Sequence, residues 1–141
     1  MEKRIIIVED EIIVALDLQE LLEHLGFKTF VAHNYIDAIS IVQKHKPHLA
    51  ICDINLGKGA NGIEFAKNAS TINPYIEVVY VTAFSDQQVV SEAALTEPLN
   101  YLVKPWNEQQ IVVTVNLAFE LIADRLKNDS MIKNFSMTEY K

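Results

Sequence analysis

The chain has 141 residues, half of them hydrophobic, which is typical of one globular domain with a sizeable core. A formal net charge of −7 argues against direct, sequence-independent binding to nucleic acid or to an anionic membrane surface. The single cysteine excludes an intrachain disulfide, and no run approaches the roughly 18 apolar residues of a membrane span. With no signal-peptide pattern at the N-terminus, we expect a cytoplasmic protein.

Apolar runs and helical patterns alternate along the chain. In order, strands are predicted at about 4–8, 27–32, 48–52, 77–81 and 100–103, and helices at about 11–25, 34–46, 63–72, 85–97 and 107–126. The first helix has one apolar stripe, formed by Ala15, Leu18, Leu22 and Leu25. The stripe of the last helix is Val112, Val115, Phe119, Ile122 and Leu126.

Strict alternation of strand and helix predicts right-handed crossover connections and a parallel sheet covered on both faces. The predicted strands are apolar nearly throughout, as burial on both faces requires. We therefore expect an α/β fold, a doubly wound three-layer sandwich around a five-stranded parallel sheet. Likeness to the flavodoxin-like arrangement implies the strand order 2-1-3-4-5, which places the first and third strands side by side.

Polar residues directly follow four of the predicted strands. Glu9 and Asp10 follow the first strand, Asp53 the third, Thr82 the fourth and Lys104 the fifth. Because the carboxyl ends of parallel strands share one edge, where ligands of such folds bind, we expect these side chains to meet. Three acids, a hydroxyl and an ammonium suit a divalent cation and a phosphoryl group.

Asp53 is the first candidate for chemistry, because a carboxylate can attack phosphorus and form an acyl phosphate. A metal ion assists such a step by neutralising charge and orienting oxygens. Asp10 and Asp53 fit as direct ligands of Mg²⁺, Glu9 fits as a support acting through water, and a carbonyl near Asn55 can complete the shell. Mn²⁺ is expected to substitute for Mg²⁺. Without metal, the clustered carboxylates should raise at least one pKa.

These segments resemble the response-regulator receiver domain, the CheY-like module of two-component signalling. The matching segments are Val-Glu-Asp-Glu at 8–11, Asp-Ile-Asn-Leu at 53–56, Gly-Ile-Glu at 62–64, Val-Thr-Ala at 81–83 and Tyr-Leu-Val-Lys-Pro at 101–105. The resemblance covers about residues 3–126. Each segment is weakly specific alone, but the set is specific.

The resemblance implies a role for each site residue. Asp53 is the phosphoacceptor, which takes a phosphoryl group from the phosphohistidine of a sensor histidine kinase or a phosphotransfer protein. Asp10, Asp53 and the backbone carbonyl of Asn55 bind Mg²⁺. Lys104 and Thr82 hold the phosphoryl oxygens. The protein is then a phosphoacceptor signalling domain that assists its own phosphorylation and dephosphorylation, and not an enzyme.

The resemblance also implies a conformational switch. Thr82 moves toward the phosphoryl group and Tyr101 rotates inward. The fourth helix, fifth strand and fifth helix then present a changed face to a partner, an output domain or a second copy of the chain. The peptide bond between Lys104 and Pro105 is expected to be cis, as is typical of the family.

Three residues depart from the family pattern. Glu9 stands where aspartate is commoner, and Trp106 stands where phenylalanine is usual. Phe84, two residues after Thr82, is bulky and apolar beside the expected pocket. We predict that Phe84 slows the attack of water on the acyl phosphate.

Two other functions fit less well. A haloacid-dehalogenase-like phosphohydrolase also uses an aspartate nucleophile, but it needs a second aspartate as general acid where Asn55 stands. A flavodoxin-type cofactor binder is disfavoured, because acids at the strand ends would repel a flavin phosphate. Residues 1–128 are predicted to form the receiver domain, and residues 129–141 a tail, a helix extension or the start of a linker.

Overall fold

A computed structural model of the chain describes residues 2–57, 61–83 and 87–139. The strands are β1 (Arg4–Val8), β2 (Lys28–Ala32), β3 (Leu49–Asp53), β4 (Glu77–Thr82) and β5 (Asn100–Val103). The helices are α1 (Ile12–His24), α2 (Tyr35–His45), α3 (Gly62–Ile72), α4 (Gln87–Ala94) and α5 (Glu108–Glu139). All strand pairs are parallel, and the sheet order is β2-β1-β3-β4-β5, which confirms the predicted topology.

Helices cover both faces of the sheet, so the central strands are buried on both sides. Side chains alternate between the faces along each strand. Ile6, Val8 and Tyr80 belong to the core shared with α2, α3 and Ala93 of α4. Ile5 lies on the opposite face, in the core shared with α1 and α5. Two-sided burial explains why the strands are apolar nearly throughout.

Side-chain caps fix where two of the predicted helices begin. The Asn34 side chain accepts a hydrogen bond from the Asp37 N–H at 2.9 Å. At α5, the Asn107 side chain accepts from the Gln110 N–H at 2.8 Å, and the Gln110 side chain accepts from the Asn107 N–H at 3.0 Å. Each cap satisfies backbone donors that the first helical turn leaves open, close to the predicted starts at residues 34 and 107.

The predicted stripes of α1 and α5 are only partly buried. Leu25 is 40 % exposed, because α1 ends at His24 and the chain turns at Gly26, whose φ is +95°. On α5, Leu126 is 38 % exposed. A helix of 32 residues is about 48 Å long, whereas strands of this sheet span less than about 20 Å, so α5 extends past the core. The buried residues of α5 are Ile111, Val115, Ala118, Phe119 and Ile122.

Two helix ends also differ from expectation. The helix α4 ends at Ala94 and not near Pro98, and Glu97 has a φ of +53°, which a right-handed helix cannot include. The backbone of α5 is helical to Glu139, so past residue 128 the chain is a helix extension. The division at residue 128 stays a prediction. In the described part of the chain, no helix is long and apolar enough to cross a membrane.

Candidate functional site

Strand register brings the polar residues at the carboxyl ends of β1, β3, β4 and β5 to one edge of the sheet. Val8 pairs with Cys52, and Asp53 pairs with Val81. Thr82 in turn pairs with Val103, directly before Lys104. Residues that follow these positions therefore emerge side by side, as the sequence predicted.

The backbone of Glu9 extends the pairing of β1 beyond the strand. Its N–H donates to the Ala32 carbonyl at 3.0 Å, and its own carbonyl lies 2.9 Å from His33 Nδ1. These contacts hold the Glu9 carboxyl in a buried position, only 4 % exposed. The next residue, Asp10, is exposed. One acid of the pair is thus enclosed by protein, and the other faces the solvent.

Asp53 is the last residue of β3 and is 7 % exposed. Its Oδ1 accepts a hydrogen bond from the Asn55 N–H at 2.9 Å. The start of α3 lies very close to the Asp53 backbone: a Cβ placed on Gly62 would be 2.2 Å from the Asp53 carbonyl oxygen. The Gly62 N–H also donates to the Ile54 carbonyl at 2.9 Å. Only glycine allows this approach, which fixes the end of β3 that carries Asp53.

Lys104 joins the two buried acids. Its Nζ lies 2.8 Å from Glu9 Oε1 and 2.8 Å from Asp53 Oδ2, and 3.9 Å from Glu11 Oε1. Its backbone N–H donates to the Thr82 carbonyl at 2.8 Å. The peptide bond that follows it is cis. The ammonium therefore faces the carboxylates that the sequence analysis placed in the same pocket.

The pKa values of the cluster respond to burial and to one another. Burial raises the pKa of Glu9, and the neighbouring Asp53 carboxylate raises it further, to about 8. Burial alone would lower the pKa of Lys104, but hydrogen bonds to Asp53 and Glu9 raise it above its ordinary value. The expectation that at least one acid of the cluster has a raised pKa is confirmed for Glu9.

The acidic cluster suits a hard divalent cation. One carboxylate oxygen from each of Glu9, Asp10 and Asp53 lies within 4.8 Å of the others. Within the described residues, the buried Glu9 Oε2 has no hydrogen-bond partner. A Cβ on Gly57 would lie 3.1 Å from Asp10 Oδ2, so a glycine keeps the approach to that oxygen open. Oxygen donors of this type fit Mg²⁺.

A cavity of about 220 Å³ opens beside the cluster. Its lining residues are Asp10, Glu11, Asp53, Asn55, Gly57, Ala83 and Lys104. Glu11 and Gly57 were not among the predicted site residues, although Glu11 belongs to the segment 8–11 and Gly57 directly follows the segment 53–56. Thr82 is outside the lining, and its hydroxyl donates to the Ala83 carbonyl at 3.2 Å. The structure thus places Thr82 next to the pocket but not in contact with the carboxylates.

Tyr101 lies on β5 and is half-buried. Its ring stacks on Tyr80 with a centroid distance of 5.9 Å, and its hydroxyl is buried without a partner among the described residues. Trp106 is also half-buried and packs against the core of α1 and α5. Phe84, predicted to slow hydrolysis, lies outside the described residues.

A family model described as the response regulator receiver domain matches residues 5–116. Sporulation initiation phosphotransferase F of Bacillus subtilis is 31 % identical over 111 residues, which are 79 % of this chain and 89 % of that protein. Transcriptional regulatory protein ZraR of Klebsiella oxytoca is 33 % identical over 114 residues, 81 % of this chain. The match spans only 26 % of that regulator, so the chain corresponds to about a quarter of its length.

Solved structures show the same architecture. A CheY-like response regulator receiver domain protein from Methanospirillum hungatei superposes with a TM-score of 0.80, covering 91 % of this chain and 99 % of that one. At 21 % identity, this likeness shows the fold alone. The N-terminal domain of a response regulator/sensory box/GGDEF protein from Carboxydothermus hydrogenoformans has a TM-score of 0.80 at 28 % identity, covering 88 % and 99 %. The chain therefore belongs to the family of response regulator receiver domains, whose general function in two-component signalling is to accept a phosphoryl group.

Proposed function

We propose that Asp53 of this chain accepts a phosphoryl group from the phosphohistidine of a histidine kinase or phosphotransfer protein, in a reaction that needs Mg²⁺. The observation that carries the proposal is the Lys104 ammonium, 2.8 Å from Asp53 Oδ2, beside a cluster of three carboxylates. A phosphoryl group on Asp53 would therefore lie next to the Lys104 ammonium. A kinase that consumes ATP acts in the cytoplasm, and we propose the same location for this domain.

The transfer exchanges one bond to phosphorus for another. An Asp53 carboxylate oxygen forms a bond to phosphorus while the bond from phosphorus to the donor's imidazole nitrogen breaks, and that nitrogen keeps the electron pair. The Asn55 N–H holds Asp53 Oδ1 at 2.9 Å and so orients the carboxylate. Lys104 stabilises the negative charge on the phosphoryl oxygens, and the Thr82 hydroxyl turns from the Ala83 carbonyl to donate to one of them.

Asp10, Asp53 and the Asn55 carbonyl would hold the metal ion, with Glu9 in support. When bound, Mg²⁺ neutralises charge on the carboxylates and on the phosphoryl group, and Mn²⁺ would substitute for it. The buried, unpartnered Glu9 Oε2 supports this assignment, because a buried polar oxygen without a partner is unfavourable.

The phosphodonor would dock on the start of α1. That helix begins two residues after Asp10, at the mouth of the pocket, and exposes Ile12, Ile13 and Leu16 by 67 %, 76 % and 50 %. A donor protein must place its phosphohistidine against Asp53, and the rest of the donor would then cover this apolar surface. An Ile13→Ser variant should lose labelling by a protein phosphodonor while keeping labelling by acetyl phosphate.

The output surface would be the face formed by α4, β5 and α5. This α4–β5–α5 face exposes Leu95, Val103, Val113 and Leu117 by 81 %, 46 %, 49 % and 59 %. We propose that phosphorylation changes this face through Thr82 and Tyr101, and that a second copy of the chain binds it. Sedimentation with and without beryllofluoride, which mimics an aspartyl phosphate, tests the proposed association. Equal association with and without the mimic would contradict the proposal.

A signalling role is favoured over catalysis on external substrates. Asn55 occupies the place where a haloacid-dehalogenase-like hydrolase carries its general acid, and a neutral amide cannot exchange that proton. The backbone of Asn55 instead donates to Asp53. We therefore propose that the chain is not an enzyme, and that it acts only on its own acyl phosphate.

Intact mass spectrometry with Mg²⁺ and acetyl phosphate tests the proposed function. The wild-type chain should gain the mass of one phosphoryl group, and Asp53→Asn should gain none. The matched control, Asp124→Asn on the exposed surface of α5, should behave as wild type. Rapid multiple turnover of phosphomonoesters with no lasting adduct would favour the hydrolase and contradict the proposal.

A further inference from the structure

Tyr80 is a fully buried tyrosine in the middle of β4. It is 0 % exposed, and its neighbours along the strand are the valines at 79 and 81. A phenol in an apolar core needs a hydrogen-bond partner, since a buried hydroxyl without one costs roughly 1–3 kcal/mol. Its partner is the Thr96 hydroxyl, 2.7 Å away.

Thr96 connects this phenol to the C-terminal end of α4. The Thr96 hydroxyl donates to the Ala93 carbonyl at 2.6 Å, and this uses its only hydrogen. The Tyr80 hydroxyl must therefore be the donor in the bond between the two residues. The Thr96 N–H also bonds to the Ala93 carbonyl, at 3.0 Å. Tyr80 thus holds the residue that closes the last turn of α4.

The other side of Tyr80 faces the proposed switch. Tyr80 pairs with Tyr101 across β4 and β5, and their rings stack at 5.9 Å with an interplanar angle of 27°. Thr82 lies two residues further along β4, so its side chain points to the same face of the sheet as Tyr80. One side chain is therefore in contact with the end of α4 and with Tyr101, beside Thr82.

The connection that follows α4 is held in an unfavourable backbone conformation. Glu97 has a φ of +53°, which costs roughly 1–2 kcal/mol in a residue with a Cβ. Its N–H donates to the Ala94 carbonyl at 3.1 Å. Contacts around Thr96 offset this cost, so loosening them should allow the α4–β5 connection to rearrange.

We propose that Tyr80 is a positioning residue, which couples Tyr101 to the end of α4. Through these contacts, Tyr80 favours the arrangement in which the Thr82 hydroxyl donates to the Ala83 carbonyl. This rests on the proposed phosphorylation of Asp53. Movement of Thr82 and Tyr101 toward the phosphorylated arrangement then requires the hydrogen bond from Tyr80 to Thr96 to change. By thermodynamic linkage, removing that bond should strengthen the binding of a phosphoryl mimic at Asp53.

The test compares beryllofluoride affinity in the presence of Mg²⁺ among four proteins. They are the wild type, Tyr80→Phe, Thr96→Val and the double variant. Fluorescence of Trp106, the chain's single tryptophan, reports binding. Each single variant should bind about 2- to 10-fold more tightly, the range that the net strength of one hydrogen bond allows. The double variant should match the singles, since all three lack the same bond.

Tyr75→Phe is the matched control, because Tyr75 is 49 % exposed and should leave the affinity unchanged. Hydrogen exchange of the Thr96 and Glu97 amides should also become faster in Tyr80→Phe and not in Tyr75→Phe. A purely structural role for Tyr80 would leave affinity equal or weaker, and this result would overturn the inference. Failure of the wild type to bind beryllofluoride would overturn the proposed function together with the inference. Normal wild-type binding with unchanged affinity in Tyr80→Phe would overturn the inference alone.

Discussion

Lys104 is the residue whose single charge faces both buried acids of the site. Replacing it with methionine would keep its apolar stem but leave Glu9 and Asp53 without their cation. Removing one partner of a buried ion pair costs about 3–5 kcal/mol, and the partial exposure of Lys104 argues for the lower end. We expect Lys104→Met to lose roughly 3 kcal/mol of stability at pH 7.5 in EDTA, measured by urea unfolding.

The control for this prediction is Lys67→Met, which removes an equal charge from the exposed surface of α3. It should change the free energy of unfolding by less than about 0.5 kcal/mol. Added Mg²⁺ should restore part of the loss in Lys104→Met, because a cation also neutralises the acids. Equal stability of the two variants in EDTA would show that Lys104 does not stabilise the cluster.

Glu9 should make the stability of the metal-free protein depend on pH. Burial, and after it the neighbouring Asp53 carboxylate, raises its pKa from an ordinary value of 4.5 to about 8. Between those values the folded chain binds more protons than the unfolded chain, so stability is greatest at low pH and falls as pH rises. For one titrating group, the free energy of unfolding cannot change by more than about 1.4 kcal/mol per pH unit.

Urea unfolding in EDTA between pH 5 and 8.5 measures this effect. As pH rises, the free energy of unfolding of the wild type should fall relative to that of Glu9→Gln, because the amide does not titrate. Comparing the two proteins removes the contribution of other groups. A difference that stays constant across the window would mean that Glu9 is ionised throughout, as an ordinary surface glutamate is.

At the scale of elements, the approach of α3 to the end of β3 depends on Gly62. A Cβ there would lie 2.2 Å from the Asp53 carbonyl oxygen, so Gly62→Ala must move either the helix or the strand end. Overpacking of this kind costs about 1–3 kcal/mol. We expect Gly62→Ala to lose stability in that range and to slow labelling of Asp53 by acetyl phosphate at least severalfold.

Gly26→Ala is the matched control for that prediction. Gly26 has a φ of +95°, and a Cβ there would contact nothing within 4 Å, so alanine would strain the backbone far from the site. The loss of stability should be similar, about 1–2 kcal/mol, with no change in the labelling rate. If both variants slowed labelling equally, lost stability and not the position of Asp53 would be the cause.

The order and type of the elements could be predicted from the sequence, because the signals are local. Asn34 and Asn107 cap helices through neighbours three residues away, and apolar runs define the strands. The alternation alone predicts a parallel sheet but does not rank strand orders, so the order depended on likeness to a known fold. The meeting of Glu9, Asp53 and Lys104 then follows, since each lies at or directly after a strand end.

Contacts that depend on how a helix lies across the sheet were not predictable. Leu25 matches the spacing of a buried stripe, yet it lies past the end of α1 and is exposed. The bond between Tyr80 and Thr96 joins a strand to a loop 16 residues away. The ion pair of Glu77 with Arg125 joins the start of β4 to the distal half of α5. Spacing within one element carries no information about such pairs.

At the scale of the whole molecule, that ion pair indicates how much of α5 belongs to the folded domain. Glu77 is 6 % exposed, and Ile122, one turn before Arg125, is 3 % exposed. Beyond them, the neighbouring Asp129 carboxylate raises the pKa of Tyr75, a half-exposed tyrosine. Ile122 and the ion pair of Glu77 with Arg125 therefore lie within residues 1–128, the predicted receiver domain.

A chain of residues 1–128 should accordingly keep the properties of the full chain. We expect its free energy of unfolding in urea to lie within about 0.5 kcal/mol of the full chain, because the buried residues of α5 and the ion pair of Glu77 with Arg125 are kept. Its labelling by acetyl phosphate should be unchanged. Arg125→Met in the same shortened chain should lose roughly 3 kcal/mol, since Glu77 would stay buried without a partner. If truncation alone removed as much stability as this substitution, the domain would extend into residues 129–141.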